Sequence, residues 1–158
     1  MKESWKTGIS FGLTSGIITT LGVMIGLNSG TGIRLAVIGG ILTVAIADAF
    51  SDALGIHISE ESVSRNSHKH IWEATVATFF TKLIVALSFL IPVLFLNLQD
   101  AVRVNLAWGF FLIVIFNYKL AKMRKENPFH VISEHVLITG IVVAITYFVG
   151  RFISLYFR

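Results

Sequence analysis

The chain has 158 residues, of which 54% are hydrophobic and 14% carry a charged side chain. Soluble domains average about 25% charged residues, so this composition indicates a membrane protein. The net charge is +4, but the basic residues lie at the ends of apolar runs and not on one polar face, which argues against nucleic-acid binding. The absence of cysteine excludes disulfides and thiolate metal sites.

Five apolar runs predict five transmembrane helices, because each is near the roughly 20 residues needed to cross the hydrocarbon core. They cover about residues 8–27, 33–57, 73–96, 101–121 and 131–153. The first run is longer than the apolar core of a cleavable signal, which has about 7–15 residues, so we interpret it as a membrane span. We therefore assign residues 1–158 to a single all-α integral membrane domain.

The positions of lysine and arginine predict an orientation with the N-terminus inside and the C-terminus outside. Eight of the thirteen basic residues then lie on the cytosolic side, four lie outside, and Lys82 lies within the third span. This excess agrees with the general preference for basic residues in cytoplasmic connections. All five histidines also fall at the cytosolic side.

Two aspartates interrupt the second span. Asp48 and Asp52 are four residues apart, so they lie on one helical face. A carboxylate at this depth costs about 2.5–3.5 kcal/mol even on the lenient insertion scale, and such residues usually mark ion pathways or proton relays. Carboxylate oxygens suit Mn²⁺ or Fe²⁺, and a metal that binds them would displace a proton. The rest of this face is small and leaves room for an ion or a close helix: Thr43, Ala47, Ser51 and Gly55.

The alternative interpretation is a structural ion pair. Lys82 lies about 15 Å into the third span, close to the depth of Asp48. An Asp48–Lys82 pair would stabilise the fold and would leave Asp52 alone. Because two aspartates share one face, we favour a functional role for them.

The first span carries glycines and hydroxyls. Gly8, Gly12 and Gly16 are spaced by four residues, which predicts close helix packing, within the chain or between two copies. Ser15 and Thr19 either line a polar seam or bond back to their own helix.

Further acids and histidines lie at the predicted cytosolic side. Taken singly, most are expected to be solvated interface residues. As a set, they are candidates for a pore mouth that gathers cations. The mouth candidates are Glu60, Glu61 and Glu73, with His57 and Glu134 as weaker metal-ligand candidates.

Four segments, in this order, resemble the vacuolar iron transporter family. SGIITTLGVMIGLNSG (15–30) is similar to its first helix, and GGILTVAIADAFSDALGIHISEES (39–62) to its second. LSFLIPVLF (87–95) resembles its third helix, and GIVVAITYFVGR (140–151) its last. The resemblance implies a homodimer packed through helices 1 and 2, which exports Fe²⁺ or Mn²⁺ from the cytosol in exchange for protons. It implies no permanently bound cofactor, because the metal is the substrate.

The chain departs from the family pattern at three ligand positions. The family's first-helix aspartate falls at Ser15, its second-helix glutamate near Thr43, and its methionine near Asp52. The long metal-binding insert of some members is absent. We expect the acidic site to have moved to Asp48 and Asp52 within the same path, with Ser15, Thr19 and Thr43 lining it. The small size suggests a prokaryotic inner membrane, or a vacuole-type membrane in a eukaryote.

Two other classes of protein are alternatives to a transporter. An enzyme is not expected, because DAFSD lacks the upstream glycine of intramembrane phosphotransferases (residue 44 is Val44) and HVISEH lacks the zinc-protease spacing. The second alternative is a small membrane interaction or assembly protein with a degenerate transporter fold. In that protein the Asp48–Lys82 pair would be structural.

Overall fold

The computed structural model describes residues 2–157, which form helices and no strands. Five helical segments are long and apolar enough to cross a membrane. Span 1 is Glu3–Thr31, span 2 is Arg34–Glu61, span 3 is His68–Phe95, span 4 is Leu98–Arg124 and span 5 is Pro128–Tyr156. The prediction of an all-α protein with five such helices is therefore confirmed.

Most helix ends extend a few residues beyond the predicted apolar runs, because polar residues cap them. The side chains of Ser67, Asn97 and Asn127 accept hydrogen bonds from backbone N–H groups in the first turns of spans 3, 4 and 5. Such caps satisfy donors that lack a partner within the helix. Pro128 occupies the first turn of span 5, where its missing N–H costs nothing. At the other end of span 4, Lys125 adopts a left-handed conformation with φ of 58°.

Two spans are not regular α-helices throughout. Span 2 contains a π-helical turn, Val44–Asp48, between the α-helices Arg34–Thr43 and Ala49–Glu61. Span 3 is α-helical over His68–Ser88 and again over Leu90–Phe95. Pro92 explains the second interruption, since it has no N–H to donate to the carbonyl of Ser88. The π turn ends at Asp48, and such turns occur often at functional sites.

The chain forms two compact units. The first contains the residues up to Thr20 together with Ile41–Leu90, and the second contains Leu21–Gly40 and the residues from Ile91 onward. In the first unit, span 1 lies directly against span 3. A methyl group added at Gly8 would overlap the backbone of Ala74, and one added at Gly12 would lie 2.6 Å from the Thr78 carbonyl oxygen. The glycine repeat thus serves helix packing within the chain.

In the second unit, close packing of helices at glycines and hydrogen bonds of polar groups hold the helices together. Gly30 and Gly150 bring the end of span 1 against span 5, where the Ser29 hydroxyl donates to the Tyr147 carbonyl at 3.1 Å. Asn105 lies in the buried face of span 4 and donates to the Met24 sulfur at 3.2 Å. Buried amides must find partners inside the protein, because lipid offers none.

We predict that Gly12→Ala destabilises the protein by about 1–3 kcal/mol, because the new methyl group forces span 1 away from span 3. The matched control is Gly140→Ala, since a methyl group there meets nothing within 4 Å. Alanine in a helix interior is favoured over glycine by roughly 0.5–1 kcal/mol, so the control should be neutral or stabilising. Thermal unfolding in detergent, followed by tryptophan fluorescence, measures both. Equal unfolding temperatures for the two variants would contradict the packing assignment.

Candidate buried charge cluster

The first compact unit contains a lysine with no exposed surface. Lys82 lies in the middle of span 3, and its side chain is 0% exposed. Lysine is almost never fully buried unless its charge is paired. The contacts of its amine therefore determine what this part of the molecule can do.

Three oxygen atoms surround the Lys82 amine. Its Nζ lies 2.6 Å from Asp48 Oδ2 and also contacts Asp52 Oδ2. It donates to Ser15 Oγ at 2.8 Å, and the Ser15 hydroxyl in turn donates to Asp52 Oδ2 at 2.6 Å. Spans 1, 2 and 3 thus meet at a single amine through one serine, two aspartates and one lysine. We call these four residues the charge cluster.

The exposed fraction of the side chain differs among the three charged residues of the cluster. The side chain of Lys82 is fully buried, that of Asp52 is 18% exposed and that of Asp48 is 34% exposed. Asp48 is therefore the open end of the cluster, and the amine is its closed end. The Asp48 Oδ2 atom that faces the amine is itself buried, so a small ion from outside the unit would meet the outer part of the Asp48 side chain first.

The formal charges of the cluster do not cancel. The cluster contains two acidic groups and one basic group, so its formal charge with all three ionised would be −1. A structural ion pair would need only one of the carboxylates. In low dielectric, an unpaired carboxylate is costly, so the excess charge favours the binding of a proton or a cation.

Local sequence features explain how the cluster forms. Asp48 and Asp52 are one turn apart and so reach the same neighbour. Ser15 lies beside Gly16, where an added methyl group would be 3.4 Å from the Lys82 Cα and Cγ atoms. That distance is an ordinary contact, whereas a methyl group at Gly12, three residues before Ser15, would clash with the Thr78 carbonyl oxygen at 2.6 Å, so Gly12 permits the close approach of span 1 to span 3.

The three residues that were predicted to line the ion path have different surroundings in the structure. Ser15 is part of the cluster. Thr19 lies one turn away, and its hydroxyl donates to the Ser15 carbonyl at 2.9 Å, which is the back-bonding alternative. Thr43 is exposed and directly precedes the π turn.

The mouth candidates have local partners and do not form a common site. Glu73 accepts from Lys2 Nζ at 2.8 Å and from Ser4 Oγ at 2.6 Å. Glu60 accepts from Asn66 Nδ2 at 2.8 Å and lies 3.1 Å from His70 Nε2. The remaining candidates are also dispersed: Glu61 and Glu134 are exposed, and His57 Nδ1 lies 3.0 Å from Thr75 Oγ1.

No group of three or more histidine, aspartate or glutamate side chains that could hold a metal occurs within residues 2–157. The cluster supplies two carboxylates and one hydroxyl, all of them hard oxygen ligands. A divalent ion at this position would complete its shell with water or with groups from a second copy. This composition suits transient binding better than a permanent metal site.

Two features of the cluster were not expected from the sequence. The sequence predicts, as the structural alternative, an Asp48–Lys82 ion pair that leaves Asp52 alone. The second part of this prediction is wrong, because Asp52 contacts the same amine. The contact of Ser15 with both charges was also missed. The available signal was the position of Ser15 between Gly12 and Gly16 on the face that packs against span 3.

The chain matches no protein-family model and no curated protein. The similarity to vacuolar iron transporters therefore depends on the four quoted segments alone. The geometry of the charge cluster is an independent basis for assigning a function.

We predict that Lys82→Met destabilises the metal-free protein by about 3 kcal/mol, because two partly buried carboxylates lose their counter-charge. The double variant Lys82→Met/Asp52→Asn should recover part of this loss, since it removes one of those carboxylates. Lys69→Met, at an exposed position of the same span, is the control and should be neutral. Thermal unfolding in detergent with a chelator provides the comparison. A double variant that is less stable than Lys82→Met would refute the pairing.

Proposed function

We propose that the protein is a proton-coupled transporter that exports Fe²⁺ or Mn²⁺ from the cytosol. The observation that carries this proposal is the convergence of two carboxylates on one buried amine. Asp48 and Asp52 are the proposed ion ligands. A proton would neutralise a formal charge of −1 and a divalent ion would reverse it, so the two cations would compete for the same carboxylates, which is the basis of exchange.

The chemistry of the cluster favours hard divalent ions. Asp48 Oδ2, Asp52 Oδ2 and Ser15 Oγ already face one point. Oxygen ligands suit Mn²⁺ and Fe²⁺, whereas Cu⁺ prefers the sulfur ligands that this cluster lacks. The resemblance to the vacuolar iron transporter family points to the same ions. No catalytic activity and no permanent cofactor are proposed.

The proposed orientation has the N-terminus in the cytosol and the C-terminus outside, as the lysine and arginine distribution favours. Metal would then approach from the side where Glu60, Glu61 and Glu73 lie, reach Asp48 and leave toward the outer face. We propose a prokaryotic inner membrane, or a vacuole-type membrane in a eukaryote, as the location.

A homodimer is part of the proposal. Span 2 has an exposed face of small residues spaced by four, which is the pattern that lets two helices approach closely. These residues are Thr43, Ala47, Ser51, Gly55 and Ser59. The glycines of span 1 contact span 3 of the same chain, so the span 2 face is the better candidate for the central contact between copies.

Cysteine cross-linking tests the dimer, because the chain has no cysteine of its own. Ser51→Cys and Gly55→Cys should form dimers under mild oxidation in the membrane. Phe148→Cys, at a position of span 5 that is 69% exposed, is the control and should stay monomeric. Cross-linking at the control position but at neither span 2 position would contradict this interface.

Flux in proteoliposomes tests transport. Wild-type protein, with a divalent-metal reporter and a pH reporter enclosed, should move Fe²⁺ or Mn²⁺ with protons in the opposite direction. Asp48→Asn/Asp52→Asn should abolish both signals, because the ligands lose their charge. Asp100→Asn, in the first turn of span 4, is the control and should keep wild-type flux. Absence of flux for any divalent ion, with folded wild-type protein, would refute the proposal.

The second candidate function is a membrane interaction or assembly protein in which the cluster only stabilises the fold. The observation in its favour is that Lys82 is completely buried and has three oxygen partners. This alternative predicts that Asp52→Asn changes stability and leaves every metal response unchanged. The flux comparison therefore separates the two functions.

A further inference from the structure

We infer that Lys82 is a built-in counter-cation, which takes the ion's position between Asp48 and Asp52 when the site is empty and is displaced when an ion binds. This inference rests on the proposed function and adds a role for the amine. It concerns competition between two positive charges for the same oxygens. Lys82 thus sets how tightly the ion is held and is not itself an ion ligand.

The geometry makes amine and ion mutually exclusive. The Lys82 Nζ atom lies between Asp48 Oδ2 and Asp52 Oδ2 and is 2.6 Å from the former. A hard divalent ion binds carboxylate oxygens at about 2.0–2.6 Å. An ion bound to both Oδ2 atoms would therefore overlap the amine. One of the two cations must leave before the other can use both carboxylates.

The exchange requires Lys82, which is fully buried, to change its side-chain conformation. Its amine is carried on a flexible four-carbon stem, so this change does not require the backbone of span 3 to move. Asp48 is the most exposed member of the cluster, and an incoming ion can contact it while Lys82 still holds Asp52. Ser15 Oγ bonds both the amine and Asp52, so it offers the amine a neutral partner beside the site.

The exchange would serve transport in two ways. Competition and repulsion by the ammonium weaken ion binding, so that the ion can leave on the far side. After the ion has left, the amine restores a counter-charge to the carboxylates. The ion-free protein then returns without two uncompensated charges in the membrane, which would be costly.

Removal of the amine should therefore tighten ion binding and slow net transport. Titration calorimetry of detergent-solubilised protein with Mn²⁺ at fixed neutral pH is the first measurement. We expect Lys82→Met to bind Mn²⁺ at least about ten-fold more tightly than wild type, which equals about 1.4 kcal/mol. Lys69→Met should bind like wild type. Lys82→Met/Asp52→Asn should bind more weakly than Lys82→Met, because one ligand is lost.

A transport readout distinguishes this role from a structural one. In proteoliposomes, Lys82→Met should lose a clearly larger share of net Mn²⁺ uptake than of Mn²⁺-for-Mn²⁺ exchange, because exchange needs no ion-free return and is slowed only by the tighter binding. A purely structural lysine would lower both in parallel. Equal losses in the two assays would therefore overturn the inference.

The remaining outcomes of the binding and folding experiments separate failure of the proposed function from failure of the inference. If neither wild type nor Lys82→Met binds Mn²⁺ or Fe²⁺, the proposed function itself fails. If wild type binds and Lys82→Met binds with unchanged or lower affinity, transport stands and the inference is overturned. If metal-free Lys82→Met does not fold, it is purified with Mn²⁺ throughout. Rescue that is lost on chelation supports displacement, whereas no rescue, with Lys82→Met/Asp52→Asn folded, contradicts it.

Discussion

The buried amine of Lys82 constrains much of the first compact unit. A fully buried ammonium needs oxygen partners from its surroundings, because lipid supplies none. Spans 1 and 2 provide these partners through Ser15, Asp48 and Asp52. The glycines of span 1 permit the close approach to span 3 that brings Ser15 within reach. Helix packing and electrostatics are therefore parts of one arrangement, and a change in either would disturb the other.

The same arrangement contains more acidic groups than pairing with Lys82 requires. A single aspartate would have neutralised Lys82, yet a second one contacts the same amine. Buried ion pairs are often no more stable than apolar residues of similar volume, so stability alone is a weak reason for such a cluster. The second, partly exposed carboxylate is the feature of the cluster on which the proposed exchange of cations depends.

The sequence predicted the membrane spans of this structure better than the contacts between the helices. Hydropathy alone predicted the five spans, because the bilayer imposes their length, but it underestimated helix ends that depend on caps such as Asn97 and Asn127. The depth of Lys82 matched that of Asp48 because both positions follow from counting residues along helices. The contacts of Lys82 with Ser15 and Asp52 depend on the orientation of spans 1, 2 and 3 about their own axes. The hydrophobic pattern of a single helix does not specify this orientation. The π turn in span 2 also escaped prediction, since the pairing of backbone groups within a helix leaves little trace in hydropathy.

That π turn has a mechanical consequence. A π turn holds one more residue than an α turn, and each residue advances about 100° around a helix axis of 3.6 residues per turn. Because Val44–Asp48 ends at an ion-pairing aspartate, migration of the extra residue by one position would swing the Asp48 carboxylate out of line with Asp52. The two halves of span 2 would remain helical throughout. The angle between the Asp48 and Asp52 side chains about the axis of span 2 thus depends on where the extra residue lies.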